Sequence, residues 1–528
     1  MIEHIAVFFR LPFEKKVYKI LYSNGNIKSG TCFKLPHYDF LAVLNINEYA
    51  RDMSKNELPD ALFDLNMAKK IVMGRSKSDF KDEKAPWEGI EFIGHNFNDK
   101  NLFKKIRAIE NSEFGSFKDW LVSLDKDWKI QLLQAIQKEY EELEAELSKI
   151  GMITFFKECE MRLYHSFLLS SFEGVLVDQE KVKKKCYELD SRYYCAVHEL
   201  ETKYHYFVSS YRQIHSISDI KDYTKNIDYD LFSKKYFWDS VEQFKHLNDF
   251  LELIFTEHYI KRDLSELLRI GNGISSYCRL QYEIVGTVTG RILVSRPGIQ
   301  YLKKSSRDIF IPSSDHVFIY ADYTQFEPGI LAAVSNDAQL IDDYNKGDVY
   351  SAVRDEIGDP CTRKMAKEIF LSFIYGMSLE NILKNIESRF SNAASKLIEN
   401  FLNKYLKVIH WKDEISELAI KNRSIRGVTG YIRYFVNGEK DYEIRKLAPN
   451  HVIQSTASGI FKEALVSYLN SNGKGRLIVP MHDAILIEVE ENREEEEKKL
   501  IKDCMINTFN KYCPQIKCNV HFENFYEE

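Results

Sequence analysis

Two apolar runs that each reach an aspartate constrain this chain more than any other feature. VFIYA, residues 317–321, favours a sheet interior through Val317, Phe318, Ile319 and Tyr320, and Asp322 follows it at once. In RLIVPMHDAILIEV, residues 476–489, Asp483 lies between two apolar runs that read as short strands joined at a tight turn. A carboxylate is expensive to bury unpaired, so each aspartate belongs at the edge of a sheet, as a turn residue or as half of a metal site. If the two strands are neighbours, the carboxylates converge, and their repulsion raises a pKa unless cations keep both ionised. Two Mg2+ ions about 3.5–4 Å apart would do that, activating an attacking oxygen while stabilising a leaving one. Such geometry suits phosphoryl transfer.

Between the two aspartates lies RKMAKEIFLSFIYGMS, residues 363–378, in which Arg363, Lys367, Leu371 and Tyr375 recur every four residues. On a helix that spacing advances about 6 Å per step along nearly one face. Two cations a turn apart, then an apolar and an aromatic side chain, would grip a triphosphate at one end and a base at the other. Taken alone, the same spacing also describes an amphipathic surface helix with a buried aromatic stripe.

At 528 residues the chain is too long for one core, and two to four domains are expected. Lys+Arg 73 nearly balance Asp+Glu 79, so a nucleic-acid groove would have to be local. Nine scattered cysteines without a CxxC pair indicate neither a disulfide framework nor a zinc site, and they fit a reducing cytoplasm. The start, MIEHIAVFFRLPFEKK, carries Glu3, His4 and Arg10 and no small-residue cleavage site, and no later run of about 18 apolar residues would span a bilayer. A soluble, cytoplasmic protein is expected.

Residues 1 to about 110 alternate short β-like runs (HIAVFF, VYKILY, FLAVLN) with polar turns, then show a helical pattern in PDALFDLNMAKKIVMG: an α/β module. Trp120 to Phe156 reads as a solvated amphipathic helix pair. Helix dominates to about Leu268, short strands return after Tyr282, and a second helical block runs from about Asp337 to Leu447. The EEEE run, residues 494–497, reads as a solvated helix face rather than a metal site.

At this point the residues carry a resemblance. Over roughly residues 155–528 the chain resembles family A DNA polymerases, the group that includes bacterial DNA polymerase I. ADYTQFEPGILA is similar to that family's first motif, RKMAKEIFLSFIYGMS to its second and PMHDAILIEV to its third, in order and at suitable spacing. TVTGRILVSRPGIQYLKKSSRDIF resembles the TxTGR segment before the first motif, APNHVIQSTASGIFKEAL the helix before the third, and ECEMRLYHSFLLSSFEGVLVD the entry into palm and thumb. Collinear matches confirm one another as no single motif can.

The resemblance implies an α+β, right-hand polymerase fold: residues 155–280 as palm entry and thumb, 281–336 palm, 337–447 fingers and 448–528 palm. It implies Asp322 and Asp483 as catalytic metal ligands with the main-chain carbonyl of Tyr323, holding two Mg2+ ions for which Mn2+ can substitute. Arg363 and Lys367 would hold the incoming triphosphate, and Gln325, Leu371 and Tyr375 would line the nucleotide pocket. Glu327 would lie beneath the sugar and exclude a 2′-hydroxyl, favouring dNTPs. Arg291, Asn450, Gln454 and His482 would contact the DNA primer-template near its terminus. Lysines in KVKKK and LKKSSR would be phosphate contacts, unless they are ordinary solvated surface.

The chain departs from the pattern at several positions. Pro328 and Gly329 follow Glu327 where the family usually has Leu-Arg, Leu371 replaces an aromatic, Ser372 a glycine, and Ala484 stands where a glutamate commonly follows the third-motif aspartate. These changes bear on sugar selection and fidelity, whereas both aspartates survive. HIAVFFRLPF also lacks the Asp-x-Glu pair that ends the first strand of the family's proofreading exonuclease, so residues 1–154 read as a degenerate exonuclease-like (RNase H-like) domain, inactive as a nuclease; an unrelated α/β module is the alternative. Three further readings stay open or are disfavoured by particular residues. A single-subunit RNA polymerase is disfavoured by Glu327 and by the Tyr375–Gly376 pair, a catalytically inactive DNA-binding relic by the retained aspartates and cations, and a reverse transcriptase by the absence of paired aspartates. The compact chain resembles polymerases of plasmids, phages or other mobile elements. A small accessory protein is therefore expected on residues 1–154, helping to initiate or prolong synthesis.

Overall fold

The computed structural model describes residues 4–10, 17–30, 39–47, 50, 55–80, 85–87, 91–97, 100–101, 103–104, 126–208, 220–224, 237–238, 241, 245, 248–271, 276–358, 361–375, 400–401, 403–436 and 438–526. Gly376 and the rest of the second motif, the middle of the 337–447 block, and the start of the Trp120–Phe156 segment lie outside the described residues. Two compact units divide the chain. One comprises residues 1–172, 281–293 and 315–523, the other residues 173–280, 294–314 and 524–528.

The first unit opens with a five-stranded sheet. Strands β1 (His4–Arg10), β2 (Val17–Ser23) and β3 (Asn26–Gly30) form an antiparallel meander, and β4 (Phe40–Val43) and β5 (Ala61–Asp64) add in parallel beside β1, giving the order β3-β2-β1-β4-β5. The turn between β2 and β3 is Asn24-Gly25 with both φ positive, the pairing a two-residue hairpin requires. Leu41, Ala42 and Val43 of β4 are fully buried, as expected for a parallel strand covered on both faces. β1 contains no carboxylate.

Helix α1 (Leu65–Met73) starts where β5 stops, because Asp64 caps it. Asp64 Oδ1 accepts from the Met67 N–H at 2.7 Å and Oδ2 from the Ile46 N–H at 2.6 Å, a cap worth about 1 kcal/mol. Of the expected solvated helix pair from Trp120 onward, Lys126–Lys149 is a long helix, α2, and a short helical turn, Ile153–Phe155, follows it. Helix α2 is not solvated throughout, since Leu132, Leu133, Ile136, Leu143 and Leu147 are buried, as is Glu139, which Lys69 pairs at 3.2 Å. The turn at Ile150–Gly151 ends it, with Gly151 at φ +70. A π-helical turn (Phe156–Met161) then leads into α3 (Arg162–Glu173). In that turn Glu160 is fully buried, ion-paired at 2.8 Å to an equally buried Lys462 and hydrogen-bonded by the Tyr431 hydroxyl.

The rest of the first unit is built on a four-stranded antiparallel sheet. It begins with β6 (His316–Tyr323), followed by α4 (Phe326–Ser335), α5 (Ala338–Lys346), α6 (Val349–Ile357), α7 (Arg363–Ile374), α8 (Leu406–Asn422) and the 30-residue α9 (Asp441–Asn470). The chain then returns through β7 (Arg476–Met481), β8 (Ala484–Glu490), α10 (Glu494–Tyr512) and β9 (Val520–Phe522). The sheet order is β7-β8-β6-β9, so β6, the VFIYA strand, is central. Its partners opposite Asp322 are Ala484 on one side and His521 on the other. The EEEE expectation holds for three of its residues and is corrected for the fourth. Glu497 is buried, accepting from the Tyr468 hydroxyl and, at 3.1 Å, from the Lys474 N–H, because it falls on the core-facing side of α10.

The second unit pairs two long helices, Gln179–Tyr204 and Asp249–Gly271, beside a sheet of Phe310–Ile311, Val175–Val177 and Tyr277–Cys278. Asp178, at the end of ECEMRLYHSFLLSSFEGVLVD, is a helix cap that accepts from the Lys181 N–H at 3.0 Å. In KVKKK, Lys185 reaches Asp308 at 2.9 Å and Lys183 reaches Glu180 at 2.8 Å. No helix among the described residues is long and apolar enough to cross a membrane.

Candidate functional site

Asp322 and Asp483 meet because β6 and β8 are paired. Asp322 sits opposite Ala484, the Tyr323 N–H donates to the Asp483 carbonyl at 3.4 Å, and the β7–β8 turn therefore delivers Asp483 to the end of β6. The turn is two residues long, with His482 at φ +61, a conformation non-glycine residues seldom adopt and one that clusters at functional sites. The Asp483 carboxyl is pushed up to about 8, first by desolvation within the cavity, then by the charges of Asp322 and Glu327. Converging carboxylates behave this way when no cation is present.

The two aspartates line a cavity of about 450 Å³ together with Arg291, Tyr323, Gln325, Glu327, Arg363, Lys367, Leu371, Tyr375 and His482. Among the expected site residues, Asn450 and Gln454 are outside this lining. They lie on α9 one turn apart, and the next turn brings Ser458, which does line the cavity, so the three follow one helix face toward it.

Helix α7 presents Arg363, Lys367 and Leu371 at the expected spacing. Thr362 caps its start by accepting from the Met365 N–H at 3.2 Å, and Tyr375 is the residue that closes its C-terminus. Arg363 Nε donates to Asp348 Oδ2 at 2.5 Å, and the Tyr350 ring lies 5.5 Å from the Arg363 guanidinium and 5.9 Å from Lys367 Nζ. The two cations are therefore preset by side chains that sequence reasoning did not single out.

Glu327 lies in the first turn of α4 and is held from two sides, accepting from Arg291 Nη2 and from the Tyr375 hydroxyl, each at 2.6 Å. Burial and the Glu327 charge push the Tyr375 hydroxyl well above its ordinary range, so it remains a donor. Gly329, an apparent departure, has a packing reason: a Cβ there would come 3.0 Å from the Tyr344 ring, whose hydroxyl donates to the Thr324 carbonyl at 2.8 Å. Pro328 falls in the first turn of α4, where no intrahelical donor is lost. Gln325 lines the cavity while its carboxamide accepts from the Val349 N–H at 2.9 Å, tying α4 to α6.

Two further cavity residues, His521 and Glu523, went unnoticed in the sequence. They stand two residues apart at β9, so both project to one face, and His521 Nε2 is 2.8 Å from Glu523 and 3.9 Å from Asp322. The only local signal was the His-x-Glu alternation in NVHFEN.

A profile of DNA polymerase family A matches residues 240–526, a little over half of the chain. DNA polymerase I of Caldicellulosiruptor bescii is 29% identical over 46% of this chain and 31% of its own length. DNA polymerase theta of Caenorhabditis elegans is 28% identical over 49% of this chain and 17% of its own, and DNA polymerase I of Bacillus subtilis 24% identical over 70% and 46%. The chain thus spans less than half the length of these curated relatives. Among solved structures, the POL domain of Pol1 from M. smegmatis, in complex with DNA primer-template and dNTP, superposes with a TM-score of 0.73 at 16% identity, covering 98% of this chain and 94% of that one. The likeness shows the fold, that of a right-hand polymerase domain.

Proposed function

Because the chain belongs to DNA polymerase family A, we propose that it is a DNA-directed DNA polymerase, adding deoxynucleotides to a primer 3′ end on a DNA template without proofreading. The observation that carries this reading is the convergence of Asp322 and Asp483 in one cavity with Arg363 and Lys367. A carboxylate pair whose second member is raised to about 8 by desolvation and by its neighbour is a site that a divalent cation would relieve, and its oxygen donors suit Mg2+. Two such ions, Mg2+ with Mn2+ able to replace it, would be held by Asp322, Asp483 and the Tyr323 carbonyl, and when bound they supply activation of the 3′-hydroxyl and neutralisation of the triphosphate.

The chain's own residues do the rest by positioning. Arg363 and Lys367 bind triphosphate oxygens, with Arg363 oriented beforehand by Asp348, so less freedom is lost on binding. Tyr375 and Glu327, locked together, form a rigid floor for the sugar that leaves no room for a 2′-hydroxyl. Leu371 and Gln325 complete the pocket wall. Arg291, Asn450, Gln454 and His482 contact the primer-template, where donors reading the degenerate minor-groove acceptors test pair shape without reading sequence.

Residues 1–154 form a degenerate exonuclease-like domain in this reading. Support comes from the mixed sheet with two strands parallel to β1 and from the lack of a carboxylate on β1. With no nuclease chemistry to perform, that domain would dock a small accessory protein in a cytoplasmic mobile-element replication system; among the described residues β3 lies at the sheet's edge, where a partner strand could add.

Primer extension on a defined template tests the function: extension with dNTPs and Mg2+ is expected, with little from ribonucleotides. Extension by ribonucleotides alone would favour an RNA polymerase. No extension by a folded, DNA-binding protein would favour an inactive relic.

A further inference from the structure

We propose that Asp322, His521 and Glu523 form a further divalent-cation site on the β9 flank of the cavity, one that takes a nitrogen-accepting ion such as Mn2+ in preference to Mg2+. The proposal rests on the reading of Asp322 as a metal ligand and extends it to residues that reading does not use.

The register makes the case. Asp322 on β6 has a methyl group opposite it on β8, Ala484, and an imidazole opposite it on β9, His521. Beyond Asp483 and the Tyr323 carbonyl, the strand neighbour that brings a ligating side chain opposite Asp322 is therefore β9. One ligand atom from each of Asp322, His521 and Glu523 lies within 4.8 Å of the other two, with His521 Nε2 2.8 Å from Glu523 Oε1 and 3.9 Å from Asp322 Oδ2. Donors about 2.1 Å from a shared ion are separated by about 3.0–3.4 Å, so small side-chain adjustments close the set.

The surroundings fit such a site. Thr324 Oγ1 is 3.0 Å from His521 Nδ1, so a proton on Nδ1 donated to Thr324 leaves the Nε2 lone pair facing the carboxylates, the orientation that metal-bound histidines need. Glu523 is fixed by its own backbone, whose N–H donates to the Tyr320 carbonyl at 3.1 Å and continues the β6–β9 ladder past Phe522. The three side chains are between 21% and 40% exposed, which gives an ion an entry path. Mg2+ prefers oxygen donors and keeps its waters, whereas first-row transition ions accept an imidazole beside carboxylates, Mn2+ more weakly than the later ions of the row.

The test uses the full chain without DNA, titrated with Mn2+ and followed by electron paramagnetic resonance, with pulsed spectra read for nitrogen coupling. In wild type, bound Mn2+ is expected to show coupling to a coordinated imidazole. His521→Gln should abolish that coupling and weaken Mn2+ binding about tenfold or more, and Glu523→Gln should weaken it with the coupling retained. Thermal unfolding checks that the variants are folded; Glu523→Gln carries the test if His521→Gln is not. Coupling that persists in His521→Gln, or that disappears instead in His482→Gln, overturns the proposal, as does unchanged affinity in the His521 and Glu523 variants. Asp322→Asn and Asp483→Asn separate the two readings. If they weaken Mn2+ while His521→Gln does not, only the further site fails; if they too bind Mn2+ as wild type does, the two-aspartate reading fails with it.

Discussion

In the proposed pocket Glu327 would set the sugar floor, since it accepts from both Arg291 and Tyr375. Glu327→Ala should open the space beneath the sugar and release the Tyr375 ring, raising ribonucleotide use relative to deoxynucleotide use about tenfold, read as the ratio of kcat/KM values. An unchanged ratio would move the gate to Leu371 or Pro328. Asp483 yields a pH dependence of definite sign. Its carboxyl is raised from 3.8 to about 8, so the metal-free folded chain keeps a proton there that an unfolded chain sheds near pH 4, and the stability this carries is lost as pH rises through that window. A metal needs the carboxylate. Mg2+ affinity should therefore rise roughly tenfold per pH unit between pH 6 and 7 and level off above about 8, with proton release visible by calorimetry in buffers of different ionisation enthalpy. At this scale Asp322, Asp483, Arg363 and Lys367 were legible because each is marked by its own local run or spacing. His521 and Glu523 were not, since the β6–β9 register that brings them to Asp322 joins distant parts of the chain.

Among the elements, α9 carries one end of a fully buried ion pair. Lys462 on α9 and Glu160 in the π-helical turn are fully buried partners, and burial pushes the Glu160 carboxyl up and the Lys462 ammonium down from their ordinary values. Lys462→Met should cost about 3–5 kcal/mol in denaturant unfolding by stranding Glu160, and adding Glu160→Gln should recover much of it. A small loss from Lys462→Met would mean that water reaches Glu160. The strand β6, the β7–β8 hairpin and α7 were readable from sequence because apolar runs, a tight turn and a four-residue spacing are local signals. The helix at Lys126–Lys149 was misjudged as solvated, since its many charges hide one continuous buried stripe, and Glu497 was missed because only packing against Tyr468 shows which face of α10 is covered.

For the whole molecule, the sheet order at the N-terminus is invisible in a sequence whose strands are short and whose partners are non-local, yet the missing acidic pair on β1 was plain. The 528-residue chain should therefore leave a mismatched primer 3′ end intact in Mg2+ or Mn2+; metal-dependent trimming that survives Asp322→Asn would reveal a second two-metal site in residues 1–154. The most direct test of the two-aspartate mechanism is single-nucleotide addition by Asp322→Asn and Asp483→Asn under saturating primer-template and dNTP. Each should lower the rate about 10³-fold or more, equivalent to at least ~4 kcal/mol of transition-state stabilisation, while DNA affinity stays within a few-fold of wild type because it comes from many phosphate contacts. Near-wild-type addition by either variant would contradict the assignment of catalysis to this pair.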